Sequence, residues 1–104
     1  MQKDVKIAGF DWDDGNRQKC QKHGVSCELI EELFSRPIAL APDPSALETR
    51  IRAIGRAGNG RLVFLVFTLR ERGAATFVRP ISARYMHKRE RQAYEEEETA
   101  DAQE

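Results

Sequence analysis

The stretch Arg61-Leu62-Val63-Phe64-Leu65-Val66-Phe67-Thr68-Leu69 decides the fold. It is apolar at odd and even positions alike. A strand made from it must be covered on both faces, which places it at the centre of a sheet. Before it, Gly58-Asn59-Gly60 is a strong turn signal. Residues 48–55 alternate Arg50 and Arg52 with Ile51 and Ala53, a half-buried strand with a basic outer face. After it, Glu71-Arg72-Gly73-Ala74 turns the chain into a last strand over residues 76–81. Pro80 cannot donate a ladder hydrogen bond and places that end near a sheet edge.

Residues 5–12 alternate well enough for a first strand. Asp13 or Asp14 caps a short helix through Arg17, Lys19 and Lys22, and Gly24 supplies a left-handed stop. Ser26 caps a second helix over residues 27–35. There Leu29, Ile30, Leu33 and Phe34 repeat at the spacing of a core-facing stripe, and Pro37 prevents continuation. A short strand over residues 38–41 and a turn at Asp43-Pro44 follow. Ser82 is expected to cap a final helix running to about residue 97. The order β-α-α-β-β-β-β-α, joined by short turns, is that of an α+β fold. It predicts a small antiparallel sheet with two N-terminal helices and one C-terminal helix. Residues 1–94 make a single domain, and residues 95–104 an acidic tail with too little apolar surface to order itself.

The formal charge of the 104 residues is zero, but it is unevenly placed. The last ten residues hold six of the 17 acids and none of the 17 basic residues, leaving the remainder at net +6. An Arg-rich body is an electrostatic footprint for a polyanion, and Arg suits bidentate phosphate contacts better than Lys. No apolar run approaches the length of a membrane span, and the first residues lack the apolar segment of a signal peptide, so a cytoplasmic protein is expected. Cys20 and Cys27 have no second pair to complete a zinc site and are expected to be reduced, half-buried thiols. No metal and no cofactor is expected.

Cutting RNA without a metal needs a group to take the 2′-hydroxyl proton, a group to protonate the leaving 5′-oxygen, and positive charge beside the phosphate. His23 and His87 are the side chains whose ordinary pKa lies nearest neutrality. His23 either caps the first helix, packs on Trp12, or transfers protons. His87 is expected on the surface of the last helix. Arg70 closes the central strand, Arg79 lies on its antiparallel neighbour, and Arg84 follows at the expected start of the last helix, where helix N–H groups favour phosphate. Glu48 with Arg50 is either a supporting ion pair or a working acid with its partner. Among the rings, Phe64 and Phe67 are expected in the core and Tyr85 at the surface, available to stack on bases.

Several short elements follow one another along the chain. They are Phe10-x-Trp12-Asp13, Lys22-His23-Gly24-Val25-Ser26, Leu33-Phe34, Glu48-x-Arg50 before Gly55, Thr68-x-Arg70, Arg79-x-Ile81-Ser82-Ala83-Arg84, Arg89-Glu90-Arg91 and Tyr94. Together they resemble the BrnT family, the toxin half of a bacterial toxin–antitoxin pair. The resemblance implies a RelE-like fold and a ribonuclease that arrests translation. It also implies a BrnA-like DNA-binding antitoxin, with operator DNA bound only through the toxin–antitoxin complex. Cys20 stands where such proteins often have Asn, Cys27 where an aromatic is usual, and Tyr85-Met86 where small residues are usual. The expected function is a metal-independent endoribonuclease toxin; the alternative is a catalytically inactive binding module acting as corepressor with its antitoxin. The expected catalytic set is His23, Glu48, Arg70, Arg79 and Arg84. The expected RNA contacts are Lys19, Lys22, Arg50, Arg72, Tyr85 and Lys88.

Overall fold

A computed structural model describes residues 7–43 and 49–102. Its elements are β1 (Ile7–Phe10), α1 (Asp14–Gln21), α2 (Cys27–Leu33), β2 (Ile38–Pro42), β3 (Ile51–Arg56), β4 (Leu62–Arg72), β5 (Ala75–Tyr85) and α3 (Lys88–Ala102). They form one five-stranded sheet in the order β1-β5-β4-β3-β2. The apolar stretch is indeed the central strand, and β2 to β5 form the expected antiparallel meander. The sheet as a whole is mixed, however, because β1 pairs parallel to β5. Alternation in residues 5–12 signals a strand without naming its partner, and the meander leaves the far edge of β5 open.

α1 and α2 cover one face of the sheet. Cys20, Val25, Ile30 and Leu33 from the helical side meet Ala53, Ala57, Val63, Leu65, Phe67, Val78 and Ala83 from the sheet in one buried cluster. Small residues on β3 let α2 come close. A Cβ on Gly55 would stand 2.6 Å from Ile38 Cγ2 and 3.3 Å from Leu33 Cδ2. Phe34 joins the layers through edge-to-face contacts with Phe10 and Phe67, at centroid distances of 5.5 and 5.2 Å. Burial pushes the Cys20 thiol up to about 11 and raises Cys27 as well, so both stay protonated at neutral pH and act as packing residues.

The helix starts follow their caps. Asp13 accepts from the Asn16 N–H at 2.9 Å, and Asn16 Oδ1 accepts in turn from the Asp13 N–H at 2.7 Å, a capping box that opens α1. Gly24, at φ 88°, takes the left-handed turn after α1, and Ser26 caps α2. The final helix departs from expectation. Residues 82–85 extend β5, and α3 begins only at Lys88. The β4 pairing explains this, since Val66, Leu65, Phe64 and Val63 stand opposite Ser82, Ala83, Arg84 and Tyr85. Eleven residues of β4 offer a longer template than local capping can compete with. At its other end α3 runs on to Ala102, past the expected limit near residue 97.

Asn16 is the one buried polar side chain in the interior of the described residues, at 7% exposure. Its Nδ2 donates to the carbonyls of Asp11 at 3.0 Å and Pro80 at 2.8 Å. The Pro80 carbonyl needs this donor because β1 has ended by then, its last bond running from the Asp11 N–H to the Val78 carbonyl. Pro80 thus sits where β5 lacks an outer neighbour, as its missing N–H requires. Asn16→Ala and Asn16→Asp both remove these donors. Each is expected to lower unfolding stability by about 2 kcal/mol, the cost of orphaning buried carbonyls. Urea denaturation with an unchanged slope checks this, and a loss under about 0.5 kcal/mol would contradict it.

Candidate nucleic-acid interface

The face opposite α1 and α2 carries the arginines. Register places Phe64 opposite Arg84 on β5 and Ile54 on β3, and Val66 opposite Ser82 and Arg52. Contacts across strands confirm that these side chains share a face. Arg84 and Arg52 place their guanidinium carbons 4.9 and 5.9 Å from the Phe64 ring centroid. Further along, Arg72 lies 5.5 Å from the Phe77 centroid. Arg79 stands opposite Thr68 and Arg70 opposite Phe77 on the same ladder.

The expected catalytic arginines are therefore on adjacent strands but are spread along them. Measured on β4, Arg84, Arg79 and Arg70 sit at the levels of Phe64, Thr68 and residue 70 itself. At the rise of a strand, Arg79 is roughly 13 Å and Arg70 roughly 20 Å from the level of Arg84. They do not converge on one phosphate. Arg79 is engaged elsewhere, with Nη2 2.7 Å from Asp13 Oδ2 and Nη1 3.5 Å from Asp11 Oδ2. It ties β5 to the start of α1. The Asn16 N–H, and after it the Arg79 guanidinium, hold the Asp13 carboxyl below the usual carboxylate range. Arg72 reaches Asp11 at 3.3 Å. Arg70 is exposed and has no ion pair among the described residues.

Arg84 is not at a helix N-terminus. It lies in β5 and is gripped by Glu90 of α3, Nη1 to Oε1 at 2.7 Å and Nη2 to Oε2 at 2.8 Å. Glu90 also accepts from the His87 N–H at 2.9 Å, so the chain's own carboxylate occupies the first turn of α3. The Arg84 guanidinium first, and then the His87 N–H, pull the Glu90 carboxyl down to about 2. Farther along α3, Glu95 meets Arg56 of β3 at 3.3 Å. Acids of α3 thus bridge β5 and β3 at one end of the arginine-bearing face.

His23 lies at that end. It is exposed, and with Phe64, Ser82, Ala83 and Arg84 it lines a depression of about 140 Å³. β1 pairs with β5 only as far as Val78 and so does not reach residues 82–85, and the turn at Gly24 follows α1. Trp12 has polar and cationic partners of its own. Its Nε1 donates to Glu31 at 2.8 Å, and the Arg17 guanidinium lies 5.6 Å from its ring. Lys19 lines a separate hollow of about 340 Å³ with Asp13, Asn16, Arg79, Pro80 and Ile81. Lys22 and Lys88 are exposed. Arg50 Nε is buried without a hydrogen-bond partner among the described residues. Tyr85 is half-buried, its ring under Arg61 at 3.6 Å and its hydroxyl accepting from Asn59 at 3.0 Å. Glu48 lies outside the described residues. Phe64 departs from its expected core position, since it is half-exposed on the arginine-bearing face.

A family model described as the ribonuclease toxin BrnT of type II toxin–antitoxin systems matches residues 12–90. The chain belongs to the BrnT family. The match runs from Trp12 to Glu90 and so includes His23, the meander, Arg84 and the carboxylate that grips it. Among curated proteins none matches the chain. BrnT membership makes the chain a toxin of the ribonuclease class, with RNA as target and an antitoxin as partner. Among the described residues no helix is long and apolar enough to cross a membrane.

The Glu90 carboxyl, depressed from its ordinary 4.5 to about 2, stabilises the fold while it is charged. That contribution is full above pH 4.5 and is lost as pH falls through about 2. Glu90→Gln is expected to melt below the wild type at neutral pH, with the difference narrowing below pH 4.5 and closing near pH 2. Thermal melts across this range check it; a gap that stays constant with pH would contradict it.

Proposed function

We propose that the protein is a metal-independent endoribonuclease toxin on a RelE-like scaffold, with RNA bound along the sheet face opposite α1 and α2. The observation that carries this reading is the depression at which His23, Ser82 and Arg84 meet beside Phe64. An imidazole and a guanidinium around one hollow match the needs of transesterification at phosphorus. His23 takes the proton of the 2′-hydroxyl, or returns one to the leaving 5′-oxygen. Arg84 stabilises charge on the phosphate as it becomes five-coordinate. Ser82 offers a hydroxyl at the same rim. Arg50, Arg52, Arg70 and Arg72, with Lys19, Lys22 and Lys88 nearer the helices, steer and hold the flanking backbone.

Arg79 enters this reading as a support. Its pairs with Asp11 and Asp13 fix the start of α1, and α1 delivers His23. Glu48 and Tyr85 remain proposed contacts to RNA or its reacting groups. In the cell the toxin acts in the cytoplasm by cleaving RNA and stopping translation. A BrnA-like antitoxin neutralises it by covering the arginine-bearing face, and operator DNA is bound only through that complex.

The alternative is a binding module that acts with its antitoxin and does not cut. It draws on the Arg84–Glu90 pair, in which a carboxylate already holds the guanidinium. For RNA to be cut there, a phosphate must replace Glu90 and make the same two charge-assisted bonds to Arg84. Cleavage of RNA by purified protein separates the two readings. His23→Ala and Arg84→Ala are each expected to slow it by about 100-fold or more at unchanged melting cooperativity. Wild-type protein that is folded, binds RNA and leaves it intact would establish the binding module. Cutting that survives His23→Ala within about twofold would remove His23 from proton transfer.

A further inference from the structure

α3 differs from the other helices in how it is held. α1 and α2 bury Cys20, Cys27, Ile30 and Leu33 in the core. None of residues 88–97 of α3 is buried. Glu90, Tyr94 and Glu95 are half-buried, and the two acids reach Arg84 of β5 and Arg56 of β3. Lys88, Arg89 and Arg91 stay exposed. A helix that buries so little gains little from the hydrophobic effect, so its ion pairs weigh heavily in keeping it against the sheet.

Glu90 has two separable roles. Both its oxygens accept from Arg84, and Oε1 also accepts from the His87 N–H at 2.9 Å, closing the first turn of α3. Giving up Arg84 leaves that cap in place, so α3 can leave the sheet as a formed helix. The Met86 N–H stays tied to the Leu62 carbonyl at 2.9 Å, which makes His87 the pivot between the end of β5 and the start of α3. A carboxylate set squarely on a guanidinium makes the two charge-assisted bonds that a phosphate makes. Arg84 and the His87 N–H keep Glu90 charged, so the group on Arg84 is an anion like the phosphate it precedes.

We propose that α3 is an autoinhibitory strap: Glu90 and Glu95 occupy Arg84 and Arg56 in place of RNA phosphates, and α3 swings off this end of the arginine-bearing face before RNA engages them. The inference rests on that face being the RNA site. The strap stabilises the free protein and competes with its substrate through the same two contacts. Removing the two carboxylates therefore strengthens RNA binding, although it takes ion pairs from the fold. Glu96 and Glu97 lie on the same helix but are exposed, and they do not pair with the sheet. Neutralising them changes the net charge equally without loosening the strap.

The test uses a 2′-O-methyl oligoribonucleotide, which lacks the attacking hydroxyl and cannot be cut. Its binding to the full-length protein is measured over a range of salt for wild type, Glu90→Gln/Glu95→Gln and Glu96→Gln/Glu97→Gln, with melting curves for all three. Glu90→Gln/Glu95→Gln is expected to bind on the order of tenfold more tightly than wild type, with a steeper salt dependence, because no freed carboxylate takes up cations again. Glu96→Gln/Glu97→Gln is expected to stay within about twofold of wild type. Glu95→Gln alone keeps the α3 cap and serves if the first double variant does not fold; a gain of roughly threefold is expected. Equal gains in both double variants would reduce the effect to net charge and overturn the strap. Weaker binding by folded Glu90→Gln/Glu95→Gln would make the carboxylates supports of the arginines and overturn it as well. No binding by wild type or any variant would overturn the RNA-site reading itself, which is a different failure.

Discussion

The structure hangs on the side-chain amide of Asn16. One group joins three pieces of backbone: the end of β1, the first turn of α1, and β5 at Pro80. Both Nδ2 hydrogens have carbonyl acceptors, and Oδ1 has a backbone donor. A buried amide satisfied in this way specifies geometry, because any sliding of α1 along β5 would orphan two carbonyls at once. Asp13 and Arg79 repeat the connection at the surface with an ion pair of 2.7 Å. Since α1 carries His23 at its far end, this joint fixes where the imidazole stands relative to Arg84.

The sheet divides its duties by face. On one side the alternation of β3, β4 and β5 supplies Ala53, Val63, Leu65, Phe67, Val78 and Ala83 to the core. On the other it supplies arginines and the rings of Phe64 and Phe77. The sequence-level charge of this body overstates the free cation density. Arg52, Arg72, Arg79 and Arg84 each have a carboxylate partner, from Asp43, Asp11, Asp13 or Glu90. Those carboxylates orient the guanidiniums before any ligand arrives, which lowers the ordering cost of binding. They also mean that RNA must exchange places with acids, and each freed carboxylate takes up cations again, which flattens the salt dependence of binding.

Much of this architecture was legible in the residues. The central strand followed from an apolar run with no polar side, and the meander from the turns at residues 58–60 and 71–74. The caps at Asp13 and Ser26 and the glycine stop at position 24 were equally local signals. Other features needed partners that the chain does not announce. Parallel pairing of β1 with β5 is a long-range choice. Ser82 reads as a helix cap because the pull of β4 on residues 82–85 is invisible locally. In a run apolar on both sides, nothing marks Phe64 as facing away from the helices. Asp13-x-x-Asn16 does carry a signal, being the spacing of a capping box, yet the second role of Asn16 toward Pro80 lies 64 residues away. The charge of Arg79 and Arg84 is plain in the sequence, but that one props α1 and the other borders the hollow depends on contacts far apart in the chain.

The account stands on RNA occupying the face opposite α1 and α2. The most direct measurement is arginine footprinting: modification by phenylglyoxal, read by mass spectrometry, with and without a non-cleavable RNA. Protection is expected at Arg50, Arg52 and Arg84, with Arg17 on α1 and Arg36 after α2 unchanged. Protection of Arg17 and Arg36 while the sheet arginines react as before would place RNA on the helical side and contradict the account.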